Sequence, residues 1–176
     1  MMLRHFLPTY VGKNVFSISA SFYERIGKKA ILFDLDNTLD PVNVKEPSTE
    51  VAQLVSSLKE KGFAVYVASN NTGRRVSQYC EKLGIESTSG LLKPLSYKLK
   101  RWIKSKGYLF DEVILVGDQI FTDVLAAKGA KIDVILTEPI SKKDSIFTFF
   151  NRKIEGPIRR KIEKRHLVPR WEEMMP

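Results

Sequence analysis

Ala30-Ile31-Leu32-Phe33 is an unbroken apolar run that leads straight into Asp34 and Asp36, two acids one residue apart, and then into Asn37-Thr38-Leu39. Side chains alternate along a strand, so both acids would emerge on the same side at its carboxyl end. Two carboxylates so placed repel each other and resist burial unless a cation or a reaction employs them. The other reading is a strand that ends in an acidic turn, since Asp and Asn are ordinary turn formers. The rest of the chain has to decide between them.

Beyond Leu39 helical and strand patterns alternate regularly. Asp40-Pro41 and Pro47 bracket a short irregular segment. From about Ser48 to Lys61, Val51, Leu54, Val55 and Leu58 recur at helical spacing, and Gly62 is a natural stop. Phe63 to Ala68 reads as a second buried strand, closing in Ser69-Asn70-Asn71. A helix from roughly Gly73 to Leu83 puts Val76, Tyr79, Cys80 and Leu83 on one face. Ile85 to Gly90 fits strand or loop, and Leu91-Leu92-Lys93-Pro94 then enters a helix from about Ser96 to Lys106. Glu112 to Val116 is a third clear strand and delivers Gly117-Asp118; a helix from about Ile120 to Lys128 and a strand from Asp133 to Thr137 complete the series. Strands alternating with helices over more than a hundred residues define an α/β fold, a Rossmann-like parallel sheet with helices on both faces. Ligands in such sheets bind outside the carboxyl ends of the strands.

Composition narrows the setting. The 176 residues, 43% hydrophobic, suit one domain of ordinary size. A single cysteine, Cys80, excludes a disulfide framework and a thiolate metal cluster, and it points to a reducing compartment, most simply the cytoplasm. No apolar run reaches eighteen residues, and Arg4, His5 and Pro8 interrupt the opening, so neither a spanning helix nor a secretory signal is expected. The formal charge of +9 suits an anionic partner. Residues 151 to 170 alone hold eight basic and two acidic side chains, net +6, in a tail that reads as lying outside the active domain. The chain thus divides into an apolar and aromatic N-terminal extension (1–29), a core (30–140) and a basic amphipathic tail (141–176).

The polar strand ends belong together. Asp34 and Asp36, Ser69, Lys93, Asp118 and Asp123 would all converge on one rim. They supply a nucleophile, a proton donor, oxygen ligands for a divalent cation and donors for phosphoryl oxygens, the set that phosphomonoester hydrolysis needs. Taken singly, Ser69 reads equally well as a helix cap, Lys93 as a solvated loop residue and Asp123 as a first-turn acid favoured by the helix dipole. Together, and in this order, they favour the site.

The same residues resemble the haloacid dehalogenase-like phosphohydrolases. Asp34-Leu35-Asp36-Asn37-Thr38 matches that family's Asp-x-Asp-x-Thr, Ser69 its second motif, Lys93 its lysine, and Gly117-Asp118 through Asp123 its acidic Gly-Asp-x-x-x-x-Asp. The resemblance implies that Asp34 attacks phosphorus to give an aspartyl phosphate, and that Asp36 serves as acid and then base. It implies magnesium held by Asp34, the Asp36 backbone carbonyl and Asp118. Ser69, Asn70 and Lys93 would bind the substrate phosphate, with Thr38 and Asp123 supporting from behind.

Family members often carry a cap domain. Only 30 residues lie between Thr38 and Ser69, and 23 between Ser69 and Lys93, so neither gap can hold one. An open site suits a phosphate presented by something large: a protein, a nucleic acid end or a lipid headgroup. The leader holds Phe6, Tyr10, Phe16, Phe22 and Tyr23, and the tail repeats Phe147, Phe150, Ile154, Ile158 and Ile162 among basic residues, although Gly156-Pro157 should break a continuous helix. Both segments suit either packing on the core or peripheral contact with the inner face of a membrane. The capless layout, the Ser-Asn-Asn and the aromatic leader are similar to a small bacterial branch related to mitochondrial phosphatidylglycerophosphate phosphatase, which implies that lipid as substrate. A soluble phosphatase for a protein, sugar or nucleotide monoester is the alternative. A nucleic-acid or ribosome-associated binding module with weak hydrolysis is a further one, less favoured because every catalytic position is filled and basic charge alone gives only salt-sensitive binding.

Overall fold

In the computed structural model, the described residues are 5–42, 44–71, 73–141 and 146–176, the side chains of 146–152 excepted. Six strands lie parallel in one sheet: β1 (Tyr10–Gly12), β2 (Ala30–Phe33), β3 (Ala64–Ala68), β4 (Glu86–Thr88), β5 (Val113–Gly117) and β6 (Asp133–Thr137), in the order β1-β6-β5-β2-β3-β4. The apolar run that introduces Asp34 is the middle of this sheet. Phe33 stands in register with Val67 of β3 on one side and Val116 of β5 on the other. Every residue of β2 and β5 is buried, as a strand covered on both faces requires.

Alternation along β2 assigns its side chains to two cores. Ile31 and Phe33 face helices α1 (Ala20–Arg25), α2 (Thr49–Glu60) and α3 (Arg74–Leu83) through Phe22, Val55, Leu58 and Tyr79. Ala30 and Leu32 face α4 (Tyr97–Ser105) and α5 (Leu125–Ala130) through Leu99, Ile103 and Ala126. Local signals set the helix ends. Ser48 Oγ accepts the Val51 amide at 3.3 Å ahead of α2, and Gly84 closes α3 in the left-handed region at φ 59°.

The two ends of the chain carry the main differences from the sequence reading. Tyr10–Gly12 adds the edge strand β1 to β6, and Val15, Ile18, Phe22 and Tyr23 are buried in the first core. Phe22 and Tyr23 thus take the first of the two readings given to the leader, packing on the core. The break expected at Gly156-Pro157 does not occur, since α6 runs unbroken from Ile146 to Lys164. A proline inside a helix leaves one carbonyl without its donor. Pro157 and Lys153 both lie on the exposed face of α6, where water can serve that carbonyl, while Glu155 and Ile162 anchor the opposite face. Phe147 and Phe150 fall outside the described side chains. Beyond α6 the backbone returns to the sheet edge. Val11 N donates to Pro169 O at 3.1 Å, and Trp171 packs edge-on against Phe22 with ring centroids 5.9 Å apart.

Candidate active site

Strand pairing continues one residue past β2, where Asp34 N donates to Val116 O at 2.8 Å, and then the backbone turns sharply. Leu39 and Asp40 both donate to Leu35 O, Asn37 donates to Asp40 O, and Asn37 sits at φ 67°, a left-handed position that Asn tolerates. Strand alternation therefore does not carry to Asp36, and the two acids part company. Asp34 enters a buried cluster. Asp36 meets α3, where Arg75 Nη2 binds both its carboxylate oxygens at 2.8 and 2.7 Å and Asn71 Nδ2 adds a third bond at 2.7 Å.

The buried cluster is built on Lys93, whose side chain is 2% exposed. Its Nζ donates to Asp34 Oδ1 and Asp123 Oδ1, both at 2.6 Å, and to Ala68 O at 2.9 Å. Asn70 fixes the lysine from the neighbouring strand end, accepting the Lys93 amide at 2.6 Å and donating to its carbonyl at 3.0 Å. The side chain expected to contact phosphate thus holds the Lys93 backbone. Ser69, 2% exposed, accepts the Asn71 amide at 3.1 Å.

Asp118 and Asp123, both fully buried, complete the centre. Thr38 Oγ1 donates to Asp118 Oδ1 at 3.2 Å, and the Gln119 amide donates to Asp123 Oδ2 at 3.1 Å. Asp123 lies in a π-helical turn, Ile120–Val124, a rare irregularity that is frequent at functional sites. It also explains Gly117: a Cβ there would stand 2.5 Å from Asp123 Oδ2.

Carboxylate oxygens of Asp34, Asp118 and Asp123 lie within 4.8 Å of one another. Burial pushes the Asp34 carboxyl well above its usual range; Lys93 opposes this, and Asp123 and Asp118 reinforce it. For Lys93, burial favours the neutral amine, but Asp123 and Asp34 outweigh it and raise the pKa, so the ammonium is retained. The cluster itself holds three carboxylates and one ammonium, an excess of negative charge in an all-oxygen donor set. That is the chemistry of a site for a hard divalent cation.

The four strand ends read from the sequence therefore do meet, with two changes: Asp123 joins Asp34 and Asp118 in the carboxylate cluster, while the Asp36 side chain stands apart from it. Arg75 was missed, because an arginine in the first turn of a helix carries no signal of its partner. Also missed were Glu155 and Arg159 of α6, hidden in a basic run. The Phe121 amide donates to Glu155 Oε1 at 2.8 Å, and Arg159 Nη2 donates to Asp118 O.

The structure is thus an α/β protein with a buried carboxylate centre at the carboxyl ends of the central strands of a parallel sheet. This chain belongs to the haloacid dehalogenase-like hydrolase family, whose model matches residues 41–137. That stretch contains Ser69, Lys93, Asp118 and Asp123 and begins just after Asp34 and Asp36. More particularly, the chain is 31% identical over 173 residues to the probable phosphatase YqeG of Bacillus subtilis, covering 98% of this chain and 100% of that one. Among solved structures, an uncharacterized protein from Listeria monocytogenes serotype 4b matches with a TM-score of 0.53 at 12% identity, over 67% of this chain and 86% of that one. The 3-deoxy-D-manno-octulosonate 8-phosphate phosphatase of Moraxella catarrhalis, solved with magnesium, phosphate and KDO, matches at 0.51 and 14% identity, over 82% and 97%. Both likenesses concern the fold.

Proposed function

We propose that this chain is a magnesium-dependent phosphatase that works through an aspartyl phosphate at Asp34, on a monoester presented at a membrane surface such as phosphatidylglycerophosphate. The observation that carries the reading is the convergence of Asp34, Asp118 and Asp123 around Lys93 in a buried rim of the sheet.

Asp34, Asp118 and the Asp36 backbone carbonyl would hold the cation, with Asp123 behind them; when bound, it neutralises charge on the phosphoryl oxygens and on the nucleophile. Asp34 attacks phosphorus, an Asp34 O–P bond forms, and the bond to the leaving oxygen breaks. Asp36, set at the rim by Arg75 and Asn71, gives that oxygen its proton. In the second half Asp36 takes a proton from water, water displaces Asp34 at phosphorus, and phosphate departs. Lys93 offsets the charge that gathers on Asp34 and the transferring group. Ser69 accepts a bond from the Asn71 amide, which leaves its hydroxyl proton to donate to a phosphoryl oxygen.

Two features support a surface-presented substrate. No cap covers the rim among the described residues. Beside Lys93, Leu92, Leu95 and Tyr97 are 48%, 55% and 56% exposed, an apolar lip that would otherwise gain by burial. Arg101 and Lys104 follow on the exposed face of α4, which suits anionic headgroups. Phosphate release from phosphatidylglycerophosphate in mixed micelles, measured against a panel of soluble monoesters, tests the substrate. Higher kcat/KM for the lipid is expected; higher kcat/KM for several soluble sugar, nucleotide or protein phosphates would replace it.

A further inference from the structure

The C-terminal helix reaches the acidic centre through one pair of side chains. Glu155 of α6 is wholly buried, and its carboxylate accepts the backbone amide of Phe121 at 2.8 Å. That amide lies in the first turn of the π-helical segment that carries Asp123. First-turn amides have no acceptor within their own helix, and a carboxylate both satisfies them and complements the positive end of the turn. One helical turn further along α6, Arg159 donates to the backbone carbonyl of Asp118 and, at 3.2 Å, to that of Thr137, while its Nε lies 3.7 Å from Glu155 Oε2.

The pair therefore grips the segment 118–123 at two points: the guanidinium on the carbonyl of the first acid, the carboxylate on the Phe121 amide in the turn that carries the second. A Glu–Arg pair four residues apart on an exposed helix contributes little. A wholly buried carboxylate is costly unless it is paired and hydrogen-bonded; Glu155 Oε1 takes its hydrogen bond from the acidic segment, and Oε2 makes none and faces Arg159 at 3.7 Å.

We propose that Glu155 and Arg159 are positioning residues that set the cation affinity of the centre by fixing the backbone between Asp118 and Asp123. The inference rests on reading Asp34, Asp118 and Asp123 as a cation site. It makes α6 part of the catalytic domain rather than an appended tail. A helix that merely props the fold would lower stability when loosened, without changing how tightly the folded protein binds a cation.

Manganese titration of the full-length protein, following free Mn2+ by electron paramagnetic resonance, separates these roles when combined with circular dichroism melts. Glu155→Gln and Arg159→Met, folded at the titration temperature, should bind Mn2+ roughly 10–100-fold more weakly than the parent, the range for residues that orient metal ligands. Arg159→Lys, which keeps the charge but not the fork that reaches two carbonyls, should fall between parent and Arg159→Met. It decides the matter if the other two fail to fold. Affinity unchanged within about twofold in the folded variants, with Asp118→Ala binding weakly, would overturn the inference and leave the cation site standing. Undiminished binding by Asp118→Ala would instead remove the reading on which it rests.

Discussion

Replacing Lys93 by methionine tests whether one ammonium holds the three carboxylates together. Methionine keeps the unbranched stem and its packing but removes the charge. Lys93 Nζ makes three hydrogen bonds, to Asp34 Oδ1 and Asp123 Oδ1 at 2.6 Å and to Ala68 O at 2.9 Å, and the two carboxylate side chains are only 11% and 1% exposed. Removing one partner of a buried ion pair costs about 3–5 kcal/mol, and here two carboxylates lose the same partner, so a loss near the upper end, about 4–5 kcal/mol, is expected. Against a total stability of roughly 5–15 kcal/mol this is a large fraction, and at the lower end of that range it leaves the metal-free protein only marginally folded. The loss should depend on pH. Lys93 is the influence that opposes the upward shift of Asp34 caused by burial, Asp123 and Asp118, so its removal sends the Asp34 pKa higher still. A folded-state pKa above the unfolded value means stability that is full at low pH and lost as pH rises through the folded pKa. Urea denaturation of metal-free protein at pH 5 and pH 7.5 checks both points, with the larger deficit expected at 7.5. A deficit under about 1 kcal/mol at pH 7.5, or one equal at both pH values, would refute the reasoning.

Three further outcomes rest on particular contacts. Gly117→Ala places a methyl 2.5 Å from Asp123 Oδ2, so it should cost about 1–3 kcal/mol in a thermal melt and weaken Mn2+ binding by displacing that carboxylate; unchanged binding would mean Asp123 is dispensable to the site. Cys80 is 2% exposed and burial pushes its thiol up to about 11, a hydrogen bond with Ser87 opposing, so at pH 8 a disulfide reagent should label it only after unfolding. Prompt labelling of the native protein would contradict that burial. Leu95→Asp should reduce sedimentation with anionic vesicles by at least about tenfold while leaving hydrolysis of a soluble aryl phosphate unchanged, and equal sedimentation would detach the lip from membrane contact.

Much of the fold was legible because each central strand is a short apolar run closed by polar residues, a pattern that burial on both faces imposes. Ala30–Phe33, Ala64–Ala68 and Asp133–Thr137 lie where the pattern puts them. The edge strand Tyr10–Gly12 was not legible: three residues have no period, and the strand exists because Leu136 and Pro169 lie beside it. The site was legible as a set of strand ends and less so as an arrangement. Alternation predicts that Asp34 and Asp36 share a side, but the turn at Asn37 ends the strand first and gives Asp36 to Arg75. Pro157 misled for a related reason. A helix tolerates it where the unserved carbonyl faces water, and only tertiary contacts such as those of Glu155 reveal which face that is.

The central claim is a phosphoryl group carried on Asp34, and the direct test is to catch it. Protein mixed with magnesium and a 32P-labelled monoester, then quenched in acid within one turnover, should carry label that hydroxylamine removes and that peptide mapping places at Asp34. The Asp34→Asn protein should carry none and release no phosphate. Label on another residue, or steady phosphate release by Asp34→Asn, would contradict the account.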